Sequence, residues 1–373
     1  MPVTMRDVAR LAGVSTKTVS NVVNGYEHVS DGTRARVQRA LDHLGYEMNV
    51  AARQLRSGRT GIIALALPEL GQPYFAELAE EVVRYAEGCG LTVLIEQTGP
   101  TDVDRERQVL IGTRRHLVDG VVFSSLALEP EELGSARPDF PVVLLGENVR
   151  RGTLDHVSID NVPAARAATE HLVALGRRRI AALGRVPTQR MGTATLRLQG
   201  FSEALREAGL PSRDVVVAEP WHRDAGAAAA ESLLRRREPL PDAIFCLNDT
   251  LALGALRALL RAGVRVPDDV ALIGFDDLEE SRYSFPSLST VAPGRPEIAR
   301  RSIDLLRHRM LVGFPSGDGP REVFARYELI PRESTLGPAA ATNKTVPSAR
   351  PGRNQTGAAS VTPVRSTSRD RYV

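Results

Sequence analysis

The chain has 373 residues, 42% of them hydrophobic and 25% charged, with a formal net charge of +3; this fits a soluble protein with packed cores and more than one small domain, and excludes a disordered or fibrous chain. Charge is unevenly placed: residues 1–60 hold nine Lys/Arg against five Asp/Glu and residues 337–373 hold six against one, which leaves the middle net acidic, so polyanion contact is expected at the ends rather than over the whole surface. Two cysteines, Cys89 and Cys246, exclude a disulfide framework or a Cys-rich zinc site; no apolar run reaches membrane-spanning length and the first residues have no signal core, so the expected location is a reducing cytoplasm without a membrane partner.

Residues 1–47 read as short helices. Thr4, three residues before Asp7, sets a capping box for a helix over Met5–Ala12, with Val8 and Leu11 expected inward and Gly13 as the turn. Ser15 can cap a second helix, Thr16–Val23, whose inner face is Val19, Val22 and Val23. A third helix follows Ser30, with Val37, Leu41 and Leu44 facing in. Two helices joined by a short Gly-containing turn make a helix-turn-helix. The outward face of the second carries Thr16, Lys17, Ser20 and Asn21, short polar or cationic groups suited to base edges and phosphates in a major groove. A small helical bundle with a solvated face is the plain alternative. Residues 48–60 form a linker in which Asn49 is a good N-cap and Gly58 a good stop; a helix of about two turns is marginal alone. Ala52 and Leu55 share one face of it.

From Gly61 the pattern changes to short apolar runs separated by amphipathic stretches. The runs are Ile62–Leu67, Thr92–Ile95, Val121–Phe123, Val142–Leu145, Val157–Ile159, Ile180–Leu183, Val215–Ala218, Ala243–Leu247 and Val270–Phe275. Between the first two, Phe75, Leu78, Ala79, Val82, Val83 and Ala86 fall on one helical face. Such alternation predicts parallel sheets covered by helices on both sides, in two doubly wound units. Residues 337–373, rich in Ala, Thr, Ser, Pro and Arg, read as a disordered basic tail, inert rather than DNA-attracting.

The head carries Val3-Thr4-Met5-Arg6-Asp7-Val8-Ala9, Ala12-Gly13-Val14-Ser15, Thr18-Val19-Ser20, Val22-Val23-Asn24, Val29-Ser30, Thr33-Arg34, Val37 and Gly45-Tyr46. These runs resemble the DNA-binding head of the lactose/galactose repressor (LacI/GalR) family. The core adds Val118-Asp119-Gly120-Val121-Val122, Asp160-Asn161, His171-Leu172, Asn248-Asp249, Gly274-Phe275-Asp276-Asp277 and Pro286-Ser287-Leu288-Ser289-Thr290. The resemblance spans nearly everything before the tail. It implies an α/β fold with an all-α helix-turn-helix head on a two-lobed periplasmic-binding-protein-like core, 61–336. Lobe 1 would take about 61–161 and 292–321, and lobe 2 about 162–291 and 322–334. It also implies a homodimer on a palindromic operator. Thr16, Lys17 and Asn21 would read bases; Ser15, Ser20, Asn24, His28, Ser30 and Thr33 would mainly touch phosphate. The segment from Asn49 would fold on the operator, with Leu55 wedged in the minor groove at a deformable central step, Ala52 near the bases and Arg56 adding a contact.

The effector would lie between the lobes at the carboxyl ends of the strands. Polyol recognition calls for planar donors, carboxylate acceptors and an aromatic platform. Arg197 is the guanidinium; Asn248, Asp249 and Asp276 follow apolar strands; Tyr74, Phe75 and Trp221 could stack on a sugar face. Phe75 could equally be core, and Arg197 with Asp276 a structural ion pair. A sugar is the first expectation for the effector, a nucleoside, purine or other metabolite the second; repression is the family default and activation the alternative. In place of a commoner Asn, Gln72 precedes Pro73-Tyr74-Phe75, and Val291-Ala292-Pro293-Gly294 lacks a Gln and an aromatic found in relatives. An enzyme is disfavoured: the seven histidines show no metal-ligand spacing, and no nucleophile elbow or phosphate loop is present, so neither cofactor nor metal is expected. A secreted binding protein would need a signal peptide where this chain has its head.

Overall fold

The computed structural model describes residues 3–23, 26, 28–46, 59–112, 116–147, 152–186, 192–212, 214–313 and 319–338. The expectations for Asn24, Asn49, Ala52, Leu55 and Arg56, and for all but the first two residues of the tail, lie outside these.

The head is three helices, Met5–Ala12, Thr16–Val23 and Asp31–Leu44. The capping box forms as predicted, Thr4 receiving the Asp7 N–H and Asp7 the Thr4 N–H, and Gly13 ends the helix at φ 63°, in the left-handed region a glycine takes without penalty. Val8, Ala9, Ala12, Val19, Val22, Val37 and Ala40 make the core. Leu11, expected inside, is 52% exposed: Leu11 and Ala9 flank the Val8–Ala12 axis on opposite sides at equal angles, and the other two helices cover the Ala9 side. Leu41 and Leu44 are half-buried at the rim behind Val37 and Ala40.

All nine apolar runs form strands. The first sheet has the order β11-β5-β4-β3-β1-β2, with β1 Ile62–Leu67, β2 Thr92–Gln97, β3 Val121–Ser124, β4 Val142–Leu145, β5 Asp155–Ile159 and β11 Glu322–Ala325. The second has the order β7-β6-β8-β9, with β6 Ile180–Arg185, β7 Val215–Val217, β8 Ala243–Cys246 and β9 Ala271–Ile273. Every pair within both sheets is parallel. In each order the strand sequence reverses beside the first strand, the arrangement that opens a crevice at the carboxyl ends. Strands β10 (Thr290–Ala292) and β12 (Glu328–Ile330) pair antiparallel as a separate ribbon. The chain therefore passes between lobes three times, after β5, after β10 and between β11 and β12.

One boundary needs correcting. Residues 322–325 were expected in the second lobe, yet they pair with β5 in the first, Glu322 beside His156 and Ala325 beside Ile159. A buried ion pair fixes this return: Arg309 donates to Asp155 at 2.8 and 2.7 Å, and the Arg321 N–H donates to the same carboxylate at 2.8 Å. Two-sided burial did not mark β11 as an apolar run because it is a sheet edge, with Phe324 turned outward.

Candidate ligand cleft and DNA-reading face

On the head, Ser15 receives the Thr18 N–H at 3.1 Å, so its hydroxyl starts the second helix as well as facing out. Thr16 and Lys17 are exposed, Ser20 and Asn21 half-exposed, while Val19 and Val22 anchor the opposite side. His28 and Ser30 are exposed beyond the helix, and Ser30 donates to Thr33 at 3.0 Å. The described residues expected to meet DNA are thus all at least partly exposed. Tyr26 joins them, its ring edge-on to His28 at 5.5 Å; no sequence signal marked it. Lys17→Ala and Asn21→Ala are each expected to cost about 1–3 kcal/mol on the operator and to relax preference at particular base pairs. Binding measured across single-base operator variants checks this, and an equal loss on every sequence would assign both residues to phosphate alone.

The core's candidates come together where the strands of both lobes end. Helix Pro73–Gly88 follows β1 and brings Tyr74 and Phe75, rings edge-on at 5.4 Å. Glu147 follows β4, Asn161 follows β5, and helix Thr193–Glu207 after β6 carries Arg197. Trp221 follows β7, and Phe275 and Asp276 follow β9. Arg197 donates from Nε to Asn161 at 2.8 Å and also to the Leu247 carbonyl. Its guanidinium lies 3.5 Å from the Phe275 ring centre and 5.8 Å from that of Trp221. Its remaining edge faces Asp276 at 3.6 Å, an ion pair longer than a hydrogen bond. Burial lifts the Asp276 carboxyl to about 7, against the pull of Arg197 and Arg295. The Tyr74 hydroxyl is pushed well above the usual tyrosine value by burial first, then by Asp276 and Glu147.

Polar contacts cross between the lobes around this group. Gln72 donates to the Trp221 carbonyl at 2.7 Å and accepts from Thr250 at 3.4 Å. Thr193 donates to Glu147 at 2.5 Å, and His222 meets Glu69 at 3.1 Å. These contacts tie the two lobes together across the cleft.

Two of the residues expected to meet ligand have side chains engaged within the protein, Asp249 wholly in its scaffold and Asn248 partly against Trp221 in the cleft. Asp249 is fully buried and receives Thr290 and Ser281 hydroxyls, both at 2.7 Å, and the Leu278 N–H at 3.0 Å. Asn248 caps helix Asp249–Arg261 by accepting the Leu251 N–H at 2.8 Å, and its amide donates to the Trp221 carbonyl at 3.3 Å. Position after an apolar strand marks both kinds of residue alike; only the partners separate scaffold from cleft. Conversely Glu147, Asn161, Phe275 and Arg295 were missed. Asn161 and Phe275 sat inside recognised motifs, whereas nothing local to the sequence flagged Glu147 or Arg295.

Among the described residues no cluster could hold a metal ion and no helix is long and apolar enough to cross a membrane. Residues 4–49 match the family "Bacterial regulatory proteins, lacI family", and residues 169–335 match the "Periplasmic binding protein-like domain". The HTH-type transcriptional regulator DegA of Bacillus subtilis is 32% identical over 90% of this chain and 98% of its own. The HTH-type transcriptional repressor PurR of Vibrio atlanticus is 29% identical over 89% and 98%. Among solved structures, a complex of the transcriptional regulator CelR with cellobiose is 32% identical, with a TM-score of 0.62 over 89% of this chain and 99% of that one. The lac repressor dimer bound to operator and the anti-inducer ONPF is 28% identical, with a TM-score of 0.71 over 90% and 100%.

Proposed function

The chain belongs to the lacI family of bacterial regulatory proteins, and from that membership we propose that it binds a palindromic operator as a homodimer, under control of a sugar held between its lobes. Its relatives are DNA-binding transcriptional regulators, not enzymes, and it is one of them. The observation that carries the sugar reading is Asp276. Its side chain is 7% exposed, and among the described residues no donor hydrogen-bonds to its carboxylate, although a cation stands 3.6 Å away. Such a group calls for donors from a ligand, and adjacent hydroxyls can bridge carboxylate and guanidinium at once. Half-buried Tyr74, Phe75 and Trp221 supply the apolar faces a sugar ring stacks on. The test is a thermal-shift screen of mono- and disaccharides against nucleosides and purine bases, confirmed by calorimetry. A shift with a sugar that Asp276→Asn abolishes supports the reading; response to purines alone replaces it.

Dimerisation has candidate surfaces on both lobes. The edge strand β2 leaves Leu94 and Ile95 partly bare, and Tyr283 and Phe285 are 80% and 85% exposed. The outer face of helix Pro73–Gly88, also proposed here, carries the ion pairs of Arg84 with Glu80 and Glu81. A monomer in ultracentrifugation, both free and on operator, ends this reading. In the dimer, the paired segments from Asn49 would insert Leu55 into the minor groove, with Ala52 and Arg56 beside it and Asn24 on phosphate. Leu55→Ala is then expected to reduce both operator bending and the ratio of specific to nonspecific affinity, by about tenfold for the ratio. Energy transfer between dyes at the operator's ends measures the bend, and equal bending in variant and wild type would leave the segment a tether.

A further inference from the structure

Arg295 opens helix Arg295–Val312 immediately after the chain leaves β10 for the first lobe. Its guanidinium reaches back across that passage. It donates to the carbonyl of Asp276 and, at 2.9 Å, to that of Asp277, both in the second lobe. It also pairs with Glu77 of helix Pro73–Gly88 at 2.6 Å, and the other Glu77 oxygen accepts the Glu279 N–H at 3.0 Å. Two side chains of the first lobe therefore grip residues 276–279 of the second.

What they grip is strained. Asp276 and Asp277 have φ of 118° and 51°, in the left-handed half of conformational space that residues with a Cβ rarely occupy. Such a turn persists where its surroundings over-determine it. The Asp276 N–H is held by the Val291 carbonyl at 2.8 Å and the Asp277 N–H by Thr290 at 3.2 Å. Arg332 and Arg282 hold the Asp277 carboxylate. The two carbonyls of the turn fall to Arg295, and no smaller cation could reach both and Glu77 together, since only the guanidinium presents a planar fork of donors.

We infer that Arg295 and Glu77 form a clasp between the lobes, which positions Asp276 and biases the cleft toward closure. The Asp276 half rests on the ligand reading above; the closure half does not, and it is tested without effector. Trp221 is the only tryptophan of the chain, and it stands in the cleft beneath the Gln72 contact. Acrylamide quenching of its fluorescence in the full-length protein therefore reads opening. Arg295→Ala and Glu77→Ala are each expected to raise the quenching constant about two- to fourfold. The double variant should exceed either single one but fall short of the sum of their increments, as for residues that share one contact and hold further ones of their own. Arg295→Lys should behave much like Arg295→Ala, and Arg300→Ala, on the same helix, like wild type. Wild-type quenching in both single alanine variants, or increments that add in the double, overturns the clasp. If circular dichroism shows Arg295→Ala unfolded, Glu77→Gln gives the reading: it keeps an acceptor for Glu279 but removes the charge, and unchanged quenching there overturns the proposal equally. Retained sugar binding by Asp276→Asn would instead defeat the ligand reading and leave this result in place.

Discussion

Arg197→Ala is expected to remove the effector's influence on operator binding while operator affinity without effector stays near that of the wild type. Arg197 is 5% exposed and its guanidinium spends two of its edges internally, on Asn161 and the Leu247 carbonyl, with Phe275 against its face. It is thus fixed before ligand arrives, and what it offers a ligand is an edge whose ordering cost has already been met. Losing a charged, pre-placed donor in a desolvated site costs about 3 kcal/mol, or on the order of 100-fold in effector affinity. The loss also changes Asp276. Without Arg197 the carboxyl, already lifted to about 7, keeps its burial and loses its opposing charge, so it holds a proton through neutral pH and no longer offers a full acceptor. Both halves of the polyol grip fail together. Operator binding followed by fluorescence anisotropy, with and without the sugar found by screening, measures the effect; a thermal midpoint near that of the wild type separates loss of the site from loss of the fold. A variant that still responds with wild-type midpoint would return Arg197 and Asp276 to the role of a structural ion pair.

The head and the two sheets were legible because their signals are local. A capping box, a glycine turn and inner positions at helical spacing suffice for three short helices, and a strand buried on both faces has to be an unbroken apolar run. The inward placement of Leu11 failed for a related reason. Periodicity gives a face about 100° wide, and which residue at its margin is covered depends on where the third helix packs. The late crossings were less legible. Strand β11 is an edge and β12 belongs to a two-stranded ribbon, and neither needs a continuous apolar stretch. The return of β11 to the first lobe is fixed by the Arg309–Asp155 pair, whose members are 154 residues apart, and β12 is placed by its pairing with β10.

Within the cleft, sequence position identified the right loops but could not rank the residues in them. Asp249 and Asp276 both follow an apolar strand, and both are carboxylates in a polar motif. Three donors converge on the first and none hydrogen-bonds to the second among the described residues, a difference written entirely in tertiary structure. Arg295 is the converse case: alone in its segment, it reads as a solvated charge at a helix start, and its meaning comes from a strained turn 18–19 residues away.

Asp249→Ala is accordingly expected to destabilise the core by about 3–5 kcal/mol without touching the ligand directly, since it strands the Leu278 N–H and the Ser281 and Thr290 hydroxyls, each a buried donor worth about 1–3 kcal/mol when unpaired. Part of that cost is relieved by relaxation, because the two hydroxyls can rotate. Asp249→Asn should also destabilise, as its amide NH2 would point at converging donors where an oxygen stood. The pH dependence identifies the group. Burial raises the Asp249 carboxyl to about 6, its three donors pulling it back only in part. A folded value above the unfolded one, about 3.8, means that the carboxyl's protonation contributes stability fully below that value and that the contribution is lost as pH rises through about 6. Between those limits Asp249→Asn should therefore have a flatter stability profile than the wild type. Asp276 adds a similar slope reaching about 7, and since the Asp249 charge contributes to lifting it, that slope should also shrink somewhat in the variant. Urea unfolding followed by Trp221 emission across this range measures both magnitude and slope. Wild-type stability combined with lost sugar affinity would instead make Asp249 a cleft residue, because a scaffold carboxylate with three buried donors cannot be removed without cost.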